Sequence, residues 1–448
     1  MKLHTRKILD KSFVGMGYLS VILLSTALLI LLLPIIINGM KAFVFKGTIE
    51  FRKFNYEQFR RGNEIDLKQE ITKSALYRKY IYDLIKKFEE RIENGDIINS
   101  YKYEKSFNEI KENIRLLFGP NPDEETPVLM RDKFGASRWD RVLDIKKDIL
   151  FSLKWNYNNP EKIGIEVFTP RINEFKGTVL EKLFPYLEKN LKKMMIPKLT
   201  FYWRFLFDRS FDSHFFGGIG PEISGTFYLV IWTIVFSVPI GVVSAIYLAE
   251  FSKPGRIITL IRISISTLAG VPSIVFGLFG LAFFINKIHI SNSKSVIAGA
   301  LTLAILVLPT IIRASEEAIK TVPITFKEAA LSLGAGKLYT IFRVILPAAL
   351  PGIITGIVIS IGRAAGETAP IIFTAAVSVG SPLTFMETLS QPTPALSWNI
   401  YNLVTEHESV ELIRHVQYGM VFSLVMLVLL LNFTAIILRA RISKKLRG

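Results

Sequence analysis

The sequence predicts an all-α membrane protein with six transmembrane helices and a mostly helical insertion outside the membrane. Of the 448 residues, 50% are hydrophobic and 21% are charged, and the mean hydropathy is +0.36. This composition is too apolar for an ordinary soluble protein. Six apolar runs are long enough to cross about 30 Å of hydrocarbon, for which a helix needs about 20 residues. One long polar stretch separates the first run from the second.

The six apolar runs cover approximately residues 13–38, 223–249, 257–285, 295–312, 348–376 and 416–438. The first run follows several basic residues, but it is longer than a signal-peptide core and lacks a small-x-small cleavage site, so we expect a retained span. Basic residues also collect at 253–262 and after residue 438. With an even number of spans, this pattern predicts a multi-pass protein of the inner (cytoplasmic) membrane with both termini in the cytoplasm.

Net charge and cysteine content exclude several kinds of function. The formal charge is +17, from 55 Lys and Arg against 38 Asp and Glu. Nucleic-acid binding would require a basic face on a soluble fold, so we expect no nucleic-acid partner. The absence of cysteine excludes disulfides, thiolate zinc sites, iron-sulfur clusters and cysteine nucleophiles. No cofactor and no metal are expected.

The predicted domain organisation follows from these changes in composition. Residues 1–40 form the cytoplasmic N-terminus and the first span, 217–438 form the core with the other five spans, and 439–448 form a basic cytoplasmic tail. Residues 41–216 form the insertion, which the topology places outside the cytoplasm. Apolar residues recur there at helical spacing in 64–93, 103–118, 141–153 and 178–196, with Gly95 as a stop signal.

Residues 321–347, between the fourth and fifth runs, contain a specific pattern: Glu328-Ala329-Ala330, then Gly334, then Pro347. Two small alanines let a short helix lie close in a partner's groove, Gly334 can end that helix with a positive φ, and Pro347 is expected to stop a second helix before the next span. The pattern resembles the EAA loop through which permeases of ABC importers contact their ATPase. The alternative is an amphipathic helix pair at the membrane surface.

The chain contains no Walker A motif, so it is not expected to be an enzyme. ATP hydrolysis would take place in a separate subunit.

Apart from residues at their ends, the six runs contain two ionisable side chains, Arg363 and Glu367, which we place near the middle of the fifth run on one helix face. A charge costs roughly 2.5–3.5 kcal/mol at the centre of a membrane helix, so such residues usually line a pathway or pair with each other. Arginine offers a planar donor fork to an oxyanion, and a carboxylate can accept the proton of hydrogen phosphate. A structural ion pair and a gate remain alternatives.

Other residues of the apolar runs predict close packing and a kink. Pro272 would interrupt the third run, and Ser273 beside it could bind an anion, although a packing kink is the simpler interpretation. Small residues spaced to let another helix approach the fifth run are glycines 352, 356, 362 and 366. We expect Arg363, Glu367, Thr368 and Ser273 to form a substrate pathway or gate.

Five further segments, residues 217–226, 246–250, 268–277, 363–375 and 395–401, resemble those of the A-type permeases of phosphate-specific (Pst) ABC importers. The resemblance covers 204–438 closely and the first span loosely, whereas the insertion is larger than in that family. It implies the type I importer permease fold and import of inorganic phosphate by alternating access. It also implies four kinds of partner: a second, C-type permease, an ABC ATPase dimer, a phosphate-binding protein and membrane lipid.

Two alternatives remain at this stage. A permease for another oxyanion, such as molybdate, tungstate or sulfate, would share the EAA loop but would need no proton acceptor for its ligand. A membrane sensor whose insertion binds a ligand would explain the large polar segment. Such a sensor predicts a cytoplasmic output domain, and only about ten residues follow Leu438.

Overall fold

The computed structural model describes residues 3–94, 101–121, 133–155, 166–407 and 410–447. The chain divides into two compact units. Residues 1–40, 204–210 and 217–448 form what we call the membrane unit, and residues 41–203 and 211–216 form the inserted unit. Most of the described residues are helical, which confirms the predicted all-α class.

The helices are α1 (Leu3–Phe43), α2 (Ile49–Phe59), α3 (Glu64–Glu93), α4 (Tyr101–Phe118), α5 (Trp139–Leu150), α6 (Leu183–Met195), α7 (Gly220–Ile246), α8 (Arg256–Ala269), α9 (Ser273–Gly280), α10 (Val296–Lys320), α11 (Ile324–Ser332), α12 (Lys337–Thr340), α13 (Leu346–Gly366), α14 (Ala369–Thr374), α15 (Leu396–Thr405) and α16 (Arg414–Arg447). The strands are β1 (Val44–Gly47), β2 (Phe151–Trp155), β3 (Glu166–Pro170), β4 (Lys198–Phe201), β5 (Ser210–Phe211) and β6 (Phe216–Gly217). Wider π turns extend α7 (Tyr247–Phe251) and α9 (Leu281–Lys287) and join α12 to α13 (Ile341–Ile345).

Within the described residues, five helices of the membrane unit are long and apolar enough to cross a membrane. The count reaches the predicted six only if α8 and α9 form one span, and these two helices bend by 99° at residues 270–272. The predicted kink at Pro272 is confirmed, because this proline is extended with ψ of 135°. This bend is far larger than the kink that we expected within a single span over 257–285.

Helix α10 is the most buried apolar helix of the membrane unit, and small residues let its neighbours approach. A Cβ added at Gly352 of α13 would lie 2.6 Å from Cβ of Ala318, and one at Gly356 would lie 2.4 Å from Cβ of Ala314. These two glycines therefore confirm the predicted close helix approach. A Cβ at Gly362 would lie 3.7 Å from Val428, an ordinary contact, and none of the described atoms lies within 4 Å of one at Gly366, so close approach at these two glycines stays a prediction.

The inserted unit has its own hydrophobic core, built from α3, α4, α5 and α6. The four helices follow the predicted spacing, but the helix expected over 141–153 ends at Leu150. The backbone is extended from Phe151 onward, where β2 begins, and β2 pairs with β3 in antiparallel orientation. Gly95 lies outside the described residues.

A buried ion pair connects several helices of the inserted unit. Nη1 of Arg78 on α3 lies 2.7 Å from Oε1 of Glu50 on α2, and both side chains are buried. The same guanidinium donates hydrogen bonds to the carbonyls of Met194 and Phe118. Such dense bonding compensates for removing the two charges from water.

Candidate functional site

The segment that resembles the EAA loop folds as a short helix, a turn and a second helix. Helix α11 carries Glu328, Ala329 and Ala330 and has no buried residue. The chain turns at Gly334 with φ of +81°, and the N–H of Gly334 donates to the carbonyl of Leu331 at 2.9 Å. The predicted helix-turn-helix and the predicted positive φ at Gly334 are both confirmed. A short helix with an open face is a suitable docking element for another protein.

Pro347 does not stop the second helix, so that prediction is wrong. Helix α12 continues through the π turn Ile341–Ile345 into α13, and residues 337–366 form one apolar helix. Pro347 lies in the first turn of α13. The wider π turn before Pro347 leaves room for its ring and makes the missing N–H tolerable.

An ion pair that the sequence analysis missed ties α11 to the end of α7. Nζ of Lys327 lies 2.5 Å from Oε2 of Glu250, and Lys337 lies 4.3 Å from the ring centre of Phe251. Glu250 ends the segment 246–250 that carried part of the resemblance. The pair thus joins the residue directly before Glu328 on α11 to the end of α7.

A second charge cluster lies about one helical turn after residue 312, where the fourth apolar run was predicted to end. Glu316 on α10 is buried, and its Oε1 lies 2.8 Å from Nη2 of Arg262 on α8 and 2.9 Å from Nζ of Lys320. The sequence analysis ended the run at 312, before Glu316. The signal was present, since no proline or glycine lies between residue 312 and Pro323.

Arg363 and Glu367 do form a pair, with 3.4 Å between Nε and Oε1, but they are not near the middle of a helix. Arg363 lies in the last turn of α13, and Glu367 is the C-cap residue with an extended backbone (φ −74°, ψ 128°). Pro370, in the first turn of α14, favours this break because it has no N–H to bond to the carbonyl of Gly366 and its ring would clash with that carbonyl in a continuous helix. The pair therefore lies at a break between two helices rather than on one continuous helix face.

The break leaves Arg363 open to a ligand. The Arg363 side chain is 35% exposed and that of Glu367 is 20% exposed. Only Nε takes part in the pair, so the two terminal nitrogens of Arg363 have no hydrogen-bond partner among the described residues. An oxyanion could accept two hydrogen bonds from these nitrogens while Glu367 stays in place.

The other two predicted pathway residues lie at two different helix breaks, Thr368 between α13 and α14 and Ser273 at the bend between α8 and α9. Thr368 caps α14, and its carbonyl accepts hydrogen bonds from the N–H groups of Ile371 and Ile372. Ser273 is the first residue of α9, after the bend at Pro272. Helix α9 packs closely on α14, since a Cβ at Gly277 would lie 2.9 Å from the carbonyl oxygen of Ala369. This contact lies about one helical turn after Ser273 and brings α9 to the element that follows Arg363 and Glu367.

Helix α15 supports this break from one side. Oγ of Ser397 donates to the carbonyl of Glu367 at 3.1 Å. Two residues later, Nδ2 of Asn399 donates to Oε1 of the buried Glu222 at 3.0 Å. The Leu396 N–H donates to Oγ1 of Thr226 on α7 at 2.9 Å. The sequence analysis used these segments only as marks of resemblance and assigned them no contact.

Comparison with known proteins shows to which family the chain belongs. Residues 237–448 match the family described as the binding-protein-dependent transport system inner membrane component. The chain is 35% identical over 225 residues to the phosphate transport system permease protein PstA 1 of Mycobacterium tuberculosis (strain H37Rv), covering 50% of this chain and 70% of that protein. The chain belongs to the PstA-like ABC permeases. The inserted unit of the permease lies outside the residues that match the family.

Two further relatives are covered less fully. The permease is 34% identical over 198 residues to the probable ABC transporter permease protein YqgI of Bacillus subtilis, covering 44% of this chain and 62% of that protein. It is 39% identical over 159 residues to PstA of Yersinia pestis, covering 52% of that protein. Among solved structures, the permease matches the inward-facing MetNI methionine ABC transporter with a TM-score of 0.38 and 18% identity, over 50% of this chain and 94% of that chain.

Proposed function

We propose that this permease is the subunit through which an ATP-driven importer moves inorganic phosphate across the cytoplasmic membrane by alternating access. The observation that carries the proposal is the Arg363–Glu367 pair at the break between α13 and α14, with two guanidinium nitrogens open to a ligand. The relatives that are named phosphate transport permeases support phosphate as the substrate.

The pair has the chemistry that phosphate requires. The guanidinium of Arg363 supplies a charged, planar donor pair that matches two oxygens of a tetrahedral anion. The carboxylate of Glu367 can accept the proton that hydrogen phosphate carries and that sulfate lacks. In this proposal Arg363 binds the anion, Glu367 selects its protonated form, and Thr368 and Ser273 contribute hydroxyl groups as the pathway opens.

The coupling segment suggests how ATP hydrolysis would reach this site. We propose that Glu328, Ala329 and Ala330 of the exposed α11 dock on a subunit of an ABC ATPase dimer, with Gly334 shaping the turn. Lys327 would pass the movement of α11 to α7 through Glu250. A second, C-type permease would complete the pathway, and a phosphate-binding protein would deliver the anion from outside.

The proposed topology follows from the same assignment. Contact with a cytoplasmic ATPase requires α11 and both chain termini to be in the cytoplasm. The inserted unit then lies outside the cytoplasm. Cysteine accessibility at each side of the membrane tests this placement, since the natural chain contains no cysteine.

Import of another oxyanion is the second candidate, because the open nitrogens of Arg363 would bind sulfate or molybdate as well as phosphate. Competition for uptake separates the two. The assembled importer in proteoliposomes should accumulate radiolabelled phosphate with ATP inside, and a large excess of sulfate or molybdate should leave that uptake unchanged.

The Arg363→Gln variant tests the site in the same assay. It should lower phosphate uptake at least about tenfold, since a charge-assisted hydrogen bond contributes roughly 1.5–3 kcal/mol. Arg256→Gln is the matched control, because it removes one exposed guanidinium at the start of α8 without touching the site. Strong inhibition by sulfate, or equal uptake by Arg363→Gln and Arg256→Gln, would refute the proposal.

A further inference from the structure

Strands β1 and β4 of the inserted unit form a pair whose outward face is mainly apolar. β1 and β4 are antiparallel, with Val44 opposite Phe201 and Lys46 opposite Leu199. Residues directly opposite each other share one face of a strand pair, so these four side chains point the same way. The opposite face carries Phe45, which is buried in the inserted unit.

The outward face is open although it consists mainly of large apolar side chains. Leu199 is 78% exposed and Phe201 is 67% exposed, and Val44, opposite Phe201, is also exposed. Trp203, two residues after Phe201 and at the start of a 3₁₀ turn, is half exposed. An antiparallel strand pair with one buried face normally presents polar residues on the other. A contiguous exposed apolar patch therefore indicates a surface that something covers.

The position of this patch along the chain identifies what covers it. β1 begins at the residue after α1 ends, and α1 has the length and composition of a membrane span with none of its apolar window buried in the chain. The candidate span within α1 runs from Ser12 to Phe43, and these 32 residues measure about 48 Å along the helix. The hydrocarbon and both headgroup layers together are roughly 40–45 Å thick, so a helix of this length reaches from one headgroup layer to the other, and Val44, the next residue, lies at that level.

The register of the strand pair places the end of β4 at the same level of the membrane as the start of β1. Because Val44 lies opposite Phe201, β4 reaches the same distance from the end of α1 as β1 does. The patch is thus continuous along the chain with a helix surface that faces lipid. Its composition also fits, since tryptophan and other aromatic residues concentrate at the membrane interface, and a lysine such as Lys46 can extend its charge toward phosphate groups.

We propose that the outward face of the β1–β4 pair, formed by Val44, Leu199 and Phe201 with Trp203 beside it, is a lipid-contact surface seated in the headgroup layer of the bilayer that α1 crosses. This contact anchors the inserted unit where its chain leaves the first span. It holds whether or not phosphate is the substrate, because it depends only on the membrane location of the permease.

Site-directed fluorescence on the full-length permease tests this surface. The natural chain contains no cysteine, so single cysteines can be introduced as Leu199→Cys and Phe201→Cys without further changes. The matched control is Leu76→Cys on α3, because Leu76 is also apolar and is 73% exposed. Each variant is labelled with bimane, reconstituted into phosphatidylcholine and phosphatidylglycerol vesicles, and exposed to headgroup nitroxide-labelled lipid or to aqueous iodide on both sides.

We expect nitroxide lipid to quench the labels at 199 and 201 at least about threefold more strongly than the label at 76, as for side chains in an interface. Iodide should show the reverse order. Iodide quenching at 199 and 201 equal to that at 76 would overturn the proposal, because the face would then be in water. Labels at 199 and 201 that neither quencher reaches would also overturn it, since the face would then be covered by protein.

Discussion

Asn399 and Glu222 are joined by a hydrogen bond of 3.0 Å from the Asn399 side-chain amide to Oε1 of the carboxylate, and both side chains are buried. Glu222 lies in the first turn of α7, where the helix dipole favours a negative charge. Asn399 lies 177 residues later on α15 and also donates to the carbonyl of Ser378. The contact fixes α15 against the start of α7, and α15 in turn holds the backbone of Glu367 through Ser397.

The first prediction is that Asn399→Leu destabilises the permease. The substitution removes a hydrogen bond to a buried carboxylate, which costs about 1–3 kcal/mol when the acceptor stays buried. Asn402→Leu is the control, since Asn402 is on the same helix but bonds to an exposed carboxylate, Glu406. The midpoint temperature of thermal unfolding in detergent should be lower for Asn399→Leu than for the parent, and should be close to the parent value for Asn402→Leu. Equal shifts would show that Asn399 contributes only helix propensity.

The second prediction concerns coupling and uses the backbone at Gly334. No atom lies within 4 Å of a Cβ built there, so a side chain meets no steric obstacle, only the cost of the positive φ. Gly334→Val should weaken ATPase binding, because a β-branched residue disfavours that conformation by about 1–2 kcal/mol. Gly334→Asn should retain most binding, because asparagine tolerates a positive φ.

Co-purification of the ATPase with each Gly334 variant measures the effect. Glu328→Lys, which reverses one charge on the exposed α11, should also lower the yield of ATPase. Equal ATPase recovery with Gly334→Val and Gly334→Asn would contradict a role for the turn. Normal recovery with both Gly334→Val and Glu328→Lys would remove the coupling assignment altogether.

The third prediction is that the inserted unit folds by itself. Its core residues all lie between Ile81 and Met195, so a fragment over 41–216 contains the complete core and both paired strands β1 and β4. The fragment should give a helical circular dichroism spectrum and unfold cooperatively. Its apolar strand face makes detergent or lipid necessary for solubility if the lipid-contact proposal is correct.

Phe88 provides the test of that core. Its ring is fully buried and lies against Phe107 and Phe175. Phe88→Ala in the fragment should lower the free energy of unfolding by about 3–5 kcal/mol. Ile65→Ala, at an exposed position on α3, should change it by less than about 0.5 kcal/mol. A non-cooperative transition in the parent fragment would show that 41–216 is not an independent unit.

Local sequence patterns predicted the features that depend on local chemistry. Gly334 could be assigned a positive φ because a glycine followed a short helix, and Pro272 could be assigned a kink because proline removes an intrahelical hydrogen bond. Gly352 and Gly356 could be assigned a close helix contact from their spacing alone.

Features that depend on distant partners could not be predicted in the same way. The contacts of Glu222 with Asn399 and of Glu250 with Lys327 join residues far apart in sequence, and one chain contains no signal for such pairing. The position of Glu367 was misplaced because an apolar run does not reveal where a helix breaks inside it. Pro370 was the available signal, since a proline inside a helical run removes the hydrogen bond to the carbonyl four residues earlier, here Gly366.

The last prediction separates two roles for Arg363 and Glu367. If Arg363 binds the anion and Glu367 reads its proton, Arg363→Gln and Glu367→Gln should each abolish phosphate uptake with assembly intact, and the double variant should be as inactive as either one. Glu367→Gln should also admit sulfate, because the amide offers donors to an anion without a proton.

A purely structural ion pair between Arg363 and Glu367 predicts the opposite pattern. Each single substitution would then leave one charge without its partner and lower assembly, whereas the double substitution to neutral residues would restore assembly and uptake together. Uptake of phosphate, uptake of sulfate and recovery of the assembled complex, measured on all three variants, distinguish these outcomes. Parent-level phosphate uptake by the double variant would eliminate direct contact with the substrate.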